Sequence, residues 1–259
     1  MKRLDDFQAT VLGNRLFDDR ISLLEFYLPG FDGKAEPGQF VMIKSCETYD
    51  PFLRRPYSIF ECKKERIKIL LKIVGSGSRM ISEKRKNEKI SILGPLGNGF
   101  SINKNLYPIL VAGGIGIAPL WFLAKRLKSK KADFSLIYGE RTASFLGSML
   151  EKDFGKKIVF VTDDGTRGWQ CEPQDALLHL IKKGKQRKCA IYSCGPREML
   201  KKIIKMGEEK RIPVYVSLEE RMACGIGLCL GCSVKKRDGK SFLTICKDGP
   251  VFQSTEVEI

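Results

Sequence analysis

Nine cysteines stand in this chain of 259 residues, and four of them form a pattern. Cys224, Cys229 and Cys232 follow the spacing C-x4-C-x2-C, and Cys246 comes after thirteen further residues. The first three match the ligand spacing of plant-type [2Fe–2S] centres. Thiolates are soft ligands, and four of them suit two irons bridged by sulfide, or one zinc ion. Zinc sites are commonly built from two close pairs such as C-x2-C, and here the second pair is missing. The spacing therefore favours iron–sulfur; a four-cysteine zinc module or a non-enzymatic redox sensor is the alternative from another class. Gly225, Gly227 and Gly231 lie between the ligands. Glycine tolerates positive φ and close backbone approach, so the spacing predicts a loop wrapped tightly round the metal, its amide N–H groups aimed at sulfur.

A second group of chemistry-bearing residues lies far upstream. Arg54-Arg55-Pro56-Tyr57-Ser58 is expected between two strands, and Gly75-Ser76-Gly77-Ser78 follows a strand ending in Lys72-Ile73-Val74. A guanidinium can grip a diphosphate with two hydrogen bonds. An aromatic ring can lie against a flat heterocycle, and a serine can bond a ring nitrogen. Ser78 is the expected N-cap of a short helix through Arg79 and Ser82, and a helix start preceded by glycines favours anions. With both motifs on one chain, the sequence resembles the ferredoxin–NADP reductase superfamily, in which a barrel holds flavin through R-x-Y-S and a G-x-G-[ST] helix start. The resemblance implies FAD, with Arg55 on its diphosphate, Tyr57 near the isoalloxazine and ribityl chain, and Ser58 near N5. Gly77 and Ser78 would hold the diphosphate from the other side, with Pro56, Lys72, Ile73 and Val74 completing the contacts.

Val111-Ala112-Gly113-Gly114-Ile115-Gly116-Ile117-Ala118-Pro119 is not the G-x-G-x-x-G fingerprint, because its third glycine is absent. It still reads as a strand, a glycine turn and a proline preset for the first helical turn. In the superfamily this element lines the nicotinamide nucleotide site, which implies roles for Gly113, Gly114 and Gly116. Ser193-Cys194-Gly195-Pro196 resembles the superfamily's C-G-P motif, whose cysteine sits beside the nicotinamide. Arg141 follows the second strand of this region, where the adenosine half would lie. Its neighbour Glu140 favours a ribose 2′-hydroxyl and Arg141 a 2′-phosphate; the balance leans to NAD. Asp163 and Asp164 end another strand, as turn and cap residues or as part of the nucleotide site.

Read end to end, the chain is similar to the electron transfer subunits of type B dihydroorotate dehydrogenases. The four-cysteine tail, with Met222-Ala223-Cys224-Gly225 and Cys246-Lys247-Asp248-Gly249-Pro250, carries the most specific part of that likeness. It implies Cys224, Cys229, Cys232 and Cys246 as cluster ligands. It also implies an FMN-containing catalytic partner that oxidises dihydroorotate in pyrimidine biosynthesis, and a heterotetramer with two of each subunit. The small subunit of the NADH-dependent ferredoxin:NADP oxidoreductase has the same layout, but that family replaces one cysteine by aspartate. No general base is expected, since cofactors carry the chemistry; the one histidine, His179, reads as a helix residue.

The elements that must position these groups follow from periodicity. Short strands with Gly/Pro turns predict an antiparallel β-barrel over residues 1–102. Ile21–Leu28, Gln39–Lys44, Ile67–Val74 and Ile90–Leu93 are its clearest strands, and Gly94–Gly99 is expected to close the block. Alternating strands and helices over 103–216 predict a parallel α/β nucleotide-binding domain. Residues 217–259 form a small [2Fe–2S] domain that metal binding would stabilise. The fold class is α/β plus β. No apolar run is long enough for a transmembrane helix, and residues 1–6 lack a signal's apolar region, which points to a reducing, cytoplasmic setting. Cys46, Cys62, Cys171 and Cys189 are expected as small buried side chains. The net charge of +16 is dispersed over separate Lys/Arg pairs, which argues against nucleic acid and leaves solubility or docking to an acidic protein.

Overall fold

The computed structural model describes residues 5–17, 20–184 and 188–259. The chain divides into two compact units. The first contains the described residues up to Gly99 with Glu219–Val234 and Phe242–Pro250; the second contains Phe100–Leu218, Lys235–Ser241 and Val251–Ile259. All four cysteines of the tail motif thus belong to the first unit.

Strands β1 (Asp6–Leu16), β2 (Ile21–Tyr27), β3 (Phe40–Ile43), β4 (Arg55–Lys63) and β5 (Arg66–Lys72), helix α1 (Ser76–Ser82) and strand β6 (Lys89–Leu96) build the first unit. The strands close into an antiparallel barrel in the order β1-β2-β5-β4-β3-β6. Its interior is filled by alternate side chains. Leu24 and Phe26 of β2 stand opposite Ile69 and Ile67 of β5, and all four are fully buried. Each such burial is worth roughly 1.5–3 kcal/mol. Strand β1 was not foreseen. It carries Gly13 and shifts register between Val11 and Gly13, which blurs the period-2 signal. Two other expectations need correction. Arg55-Pro56-Tyr57-Ser58 lies within β4, laddered to β3 as Ile43↔Arg55, Met42↔Pro56, Val41↔Tyr57 and Phe40↔Ser58; proline is tolerated there near a strand's start. Gly94-Pro95-Leu96 belongs to β6.

The second unit runs β7 (Tyr107–Gly113), α2 (Ile117–Ser129), β8 (Ser135–Glu140), α3 (Phe145–Phe154), β9 (Ile158–Thr162), β10 (Trp169–Gln170), α4 (Pro173–Lys183), β11 (Cys189–Cys194), α5 (Arg197–Lys210) and β12 (Val214–Ser217). These strands are parallel in the order β10-β9-β8-β7-β11-β12. Strands covered on both faces read as continuous apolar runs, as Ile109–Ala112 of β7 does. On α2, Leu120, Leu123, Ala124 and Leu127 are buried at helical spacing; on α5, Met199, Leu200, Ile203 and Ile204 are. In the tail, β13 (Ser233–Lys235) pairs with β14 (Phe242–Thr244), and β15 (Val251–Gln253) adds antiparallel to β12. Among the described residues, no helix is long and apolar enough to cross a membrane. Cys46, Cys62, Cys171 and Cys189 are half-buried rather than buried. Cys46 sits in the loop after β3 and Cys189 opens β11, positions that keep one side towards solvent.

Candidate functional site

Three places gather the residues singled out by sequence. The first is a cleft of about 300 Å³ on the barrel, lined by Arg55, Pro56, Tyr57, Lys72, Val74 and Gly75 through Ser78. Adjacent arginines have separate jobs here. Arg54 donates to the Asp6 carboxylate and the Ser91 hydroxyl, both at 2.7 Å, and so ties β4 to β1 and β6. Arg55 donates to the Leu53 carbonyl and lies over Gly77. A Cβ on Gly77 would stand 2.8 Å from Arg55 Nε and 2.9 Å from Ser45 Oγ, so only glycine leaves this space open. The Ser45 hydroxyl is buried without a hydrogen-bond partner. Such orphans are costly and usually mark a missing ligand or water. Ser78 is not the N-cap; Gly75 is. The Ser78 hydroxyl instead turns back to accept from the amides of Val74 at 2.9 Å and Gly75 at 3.0 Å. What the helix start offers is its first-turn amides, which have no intrahelical acceptors. Guanidinium, orphan hydroxyl, bare amides and a glycine floor together fit a phosphate group. Burial raises the Tyr57 phenol pKa against the opposing pull of Arg55, so the ring stays neutral. Ile73 hangs its amide on the Arg20 carbonyl at 2.7 Å, holding the strand end that borders the cleft.

The second place is the cysteine loop. Backbone amides link the cysteines two by two: the Cys229 amide donates to Cys224 Sγ and the Cys246 amide to Cys232 Sγ, each over 3.5 Å. A two-iron cluster takes two thiolates on each iron, whereas one ion would need all four about one centre. Among the described residues, no three side chains of ligand type are placed to hold a single ion. Backbone amides aim at the sulfurs, Gly227 N at Cys246 Sγ over 3.1 Å and Ile226 N and Cys229 N at Cys224 Sγ over 3.5 Å. Burial opposes ionisation of Cys224, but the amide donors outweigh it and draw the thiol down to about 6. Burial, with the Cys232 thiol beside it, pushes Cys246 up to about 12; a bound metal would deprotonate both. Gly225 and Gly227 have φ of 72° and 82°, as the glycine pattern predicts. Gly231 does not share that conformation; its neighbour Leu230 does, at φ 58°. A Cβ on Gly225 would lie 2.7 Å from Met42 Cγ, so the loop sits directly on β3 of the barrel.

The third place is in the second unit, where the strand order reverses between β7 and β11. Ligands of open α/β sheets bind outside the carboxyl ends of strands at such a point. Gly113, Gly114, Gly116, Cys194 and Gly195 meet there. A Cβ on Gly116 would lie 2.4 Å from the Cys194 carbonyl oxygen, and one on Gly113 2.7 Å from Pro196. Gly114, at φ 53°, has open space around it. Cys194 itself is fully buried. Arg141 is exposed just past β8. Glu140 is engaged within the chain, accepting from the Ser144 hydroxyl and amide at the start of α3. Asp164 closes its own turn, accepting from the Thr166 amide at 3.0 Å and hydroxyl at 2.6 Å.

Comparison with known proteins decides between the readings. Residues 219–258 match the iron–sulfur cluster binding domain of dihydroorotate dehydrogenase B, and residues 110–205 match an oxidoreductase NAD-binding domain. The dihydroorotate dehydrogenase B (NAD(+)) electron transfer subunit of Caldanaerobacter subterraneus is 36% identical over 96% of this chain and 97% of its own. A homologue of that subunit from Aquifex aeolicus is 35% identical over 98% and 99%. The chain belongs to this family of electron transfer subunits. Among solved structures, a chain of the NADH-dependent reduced ferredoxin–NADP oxidoreductase superposes with a TM-score of 0.84 at 28% identity, covering 97% of this chain and 90% of that one. The ferredoxin reductase of carbazole 1,9a-dioxygenase shares the fold, with a TM-score of 0.69 at 20% identity over 82% and 69%. Sequence reasoning missed Ser45, which no local pattern marks; it matters because the distant Gly77 folds against it.

Proposed function

We propose that this subunit relays electrons between an FMN-containing dihydroorotate dehydrogenase catalytic subunit and NAD, using FAD and a [2Fe–2S] cluster of its own. The observation that carries this reading is that one compact unit holds both the four cysteines of the tail motif and the cleft beside the orphan Ser45 hydroxyl. When bound, the flavin exchanges electrons singly with the cluster and as a hydride with the nicotinamide. The chain's own residues bind and orient. Arg55, Gly77 and the α1 amides take the diphosphate, with Ser45 beneath; Tyr57, Pro56 and Ser58 flank the ring system; Lys72, Ile73, Val74 and Ser78 shape the cleft edge. Cys224, Cys229, Cys232 and Cys246 ligate the cluster. Gly113, Gly114 and Gly116, with Arg141, Cys194 and Gly195, receive the nucleotide. No side chain acts as a general base; His179 of α4 packs on Trp169 of β10. Functionally, residues 1–102, 103–216 and 217–259 act as flavin, nucleotide and cluster modules. The assembly is a cytoplasmic heterotetramer of two of each subunit. The exposed Leu228 and Leu230, at 77% and 63% of their surface, make loop 224–232 part of the partner interface.

Anaerobic purification followed by absorption spectroscopy and assays of iron, sulfide and flavin tests the reading. A coloured protein with two irons and one FAD per chain is expected; a colourless zinc protein would refute it. The similarity to the ferredoxin–NADP oxidoreductase chain supports a second reading, the small subunit of such an enzyme. Capture of the native partner separates them: an orotate-forming FMN subunit supports the first, a larger FAD and [4Fe–4S] subunit the second.

A further inference from the structure

Asn98 lines neither the barrel cleft nor the nucleotide turn, yet its side chain reaches residues 149 and 150 positions away. Its side-chain amide donates to the carbonyls of Lys247 at 3.1 Å and Asp248 at 2.9 Å, and its backbone amide donates to Gly249 at 2.6 Å. These three carbonyls are the turn that follows Cys246. The same turn is closed from within by Asp248, whose carboxylate accepts from the Thr244 amide at 2.6 Å and hydroxyl at 2.8 Å. Next to Asn98, Gly97 has φ 71° and no room for a side chain: a Cβ would lie 2.6 Å from both the Gly249 oxygen and Pro250 Cδ. The Gly97 carbonyl accepts from the buried Gln39 side chain at 2.9 Å. The Gln39 carbonyl in turn accepts from the Ile59 amide at 3.0 Å, one residue beyond Ser58 on β4.

The contacts form one line. From Ser58 and Ile59 it passes to Gln39, then Gly97 and Asn98, then the turn that presents Cys246. Every member lies in the first unit. We propose that Asn98 and Gln39 are positioning residues for the fourth cluster ligand, a hydrogen-bonded bridge that fixes the Cys246 turn to the strand carrying Ser58. This rests on the electron-relay reading, because the cluster is what Cys246 would hold. Groups that orient a ligand without touching the metal commonly change metal retention by about 10–100-fold when removed. Asn98 can be replaced with little risk to folding, since its side chain is exposed and its backbone bond to Gly249 survives substitution.

The test compares Asn98→Ala and the isosteric Asn98→Asp with wild type, each purified with its cofactors. Chelator-driven iron release from either variant should be about tenfold faster, and the electron paramagnetic resonance line shape of the dithionite-reduced protein should change. Asn98→Asp should be at least as impaired as Asn98→Ala, because it sets a carboxylate against two carbonyls. FAD content and melting temperature should stay near wild type. Gln39→Met should speed release in the same direction, and the double variant should be less than additive, as members of one network are. Release kinetics and line shape equal to wild type in Asn98→Ala would overturn the bridge alone; a wild type that takes up no iron would overturn both the bridge and the function it rests on.

Discussion

Single residues of the cluster loop differ in what they tolerate. Gly225 needs its positive φ and has Met42 directly beneath it. Gly225→Ala should therefore cost roughly 1–2 kcal/mol from conformation alone, before the clash, and should be read as iron and sulfide content below one cluster per chain. Leu230 is the converse, an L side chain already held at φ 58° with its surface exposed. Leu230→Gly relieves that strain and should leave cluster content intact or improved. Away from the loop, Glu219 touches solvent but is ringed by protein, and desolvation raises its carboxyl pKa against the pull of Lys72. The folded state then holds this proton to higher pH than the unfolded chain does. Stability from the protonated form is complete below the unfolded value near 4.5 and is lost as pH rises. Glu219→Gln should leave the melting temperature unchanged at pH 4 and raise it modestly at pH 7, since solvent screening limits the effect. A variant that instead gains stability at pH 4 and none at pH 7 would reverse the sign assigned to this carboxyl.

Elements decide how adjacent, chemically identical residues come to differ. Arg54 immediately precedes β4 and Arg55 opens it, and the alternation of extended backbone sends them to opposite sides. Arg54 finds Asp6 and Ser91; Arg55 finds the Leu53 carbonyl and the face of Gly77. Arg54→Ala should lower the unfolding free energy by about 1–3 kcal/mol while sparing flavin affinity, measured by denaturant melts and flavin fluorescence. Arg55→Ala should do the reverse, weakening flavin binding about tenfold or more with little change in stability. The same principle explains what sequence could reveal. Strands β9 and β11 are buried runs with clear stops, and Ile158–Thr162 and Cys189–Cys194 are legible to the residue. Strand β1 is hidden by its bulge, and the Arg-Pro-Tyr-Ser run looks like a loop because its proline masks a strand start. The cysteines announce themselves by spacing. Ser45 and Asn98 do not, since an orphan hydroxyl and a carbonyl clasp exist only once Gly77 and the 247–249 turn are folded against them.

Across the whole molecule, apolar exposure is uneven. Of the ten large hydrophobic side chains exposed among the described residues, all but Trp169 belong to the unit that holds the barrel and the cysteine loop. Val74 lines the barrel cleft, where a flavin held as proposed would cover it; Leu228 and Leu230 frame the exposed Cys229. The net charge of +16, by contrast, is spread along the chain and names no partner by itself. A relay built as proposed has separable ends, because the barrel cleft is made without any cysteine of the loop and the glycine turn at Gly113–Gly116 lies in the second unit. Cys246→Ser removes one of the four proposed ligands, and the loss should be confined accordingly. FAD content and NADH-dependent reduction of ferricyanide, which need only flavin and nucleotide, should persist near wild-type levels. Reduction of NAD by dihydroorotate in the presence of the catalytic subunit should be abolished, since that route requires the cluster between the two flavins. If Cys246→Ser instead keeps dihydroorotate-dependent NAD reduction while having lost its iron, the cysteine loop is a structural clasp and the partner's electrons reach the flavin by another path.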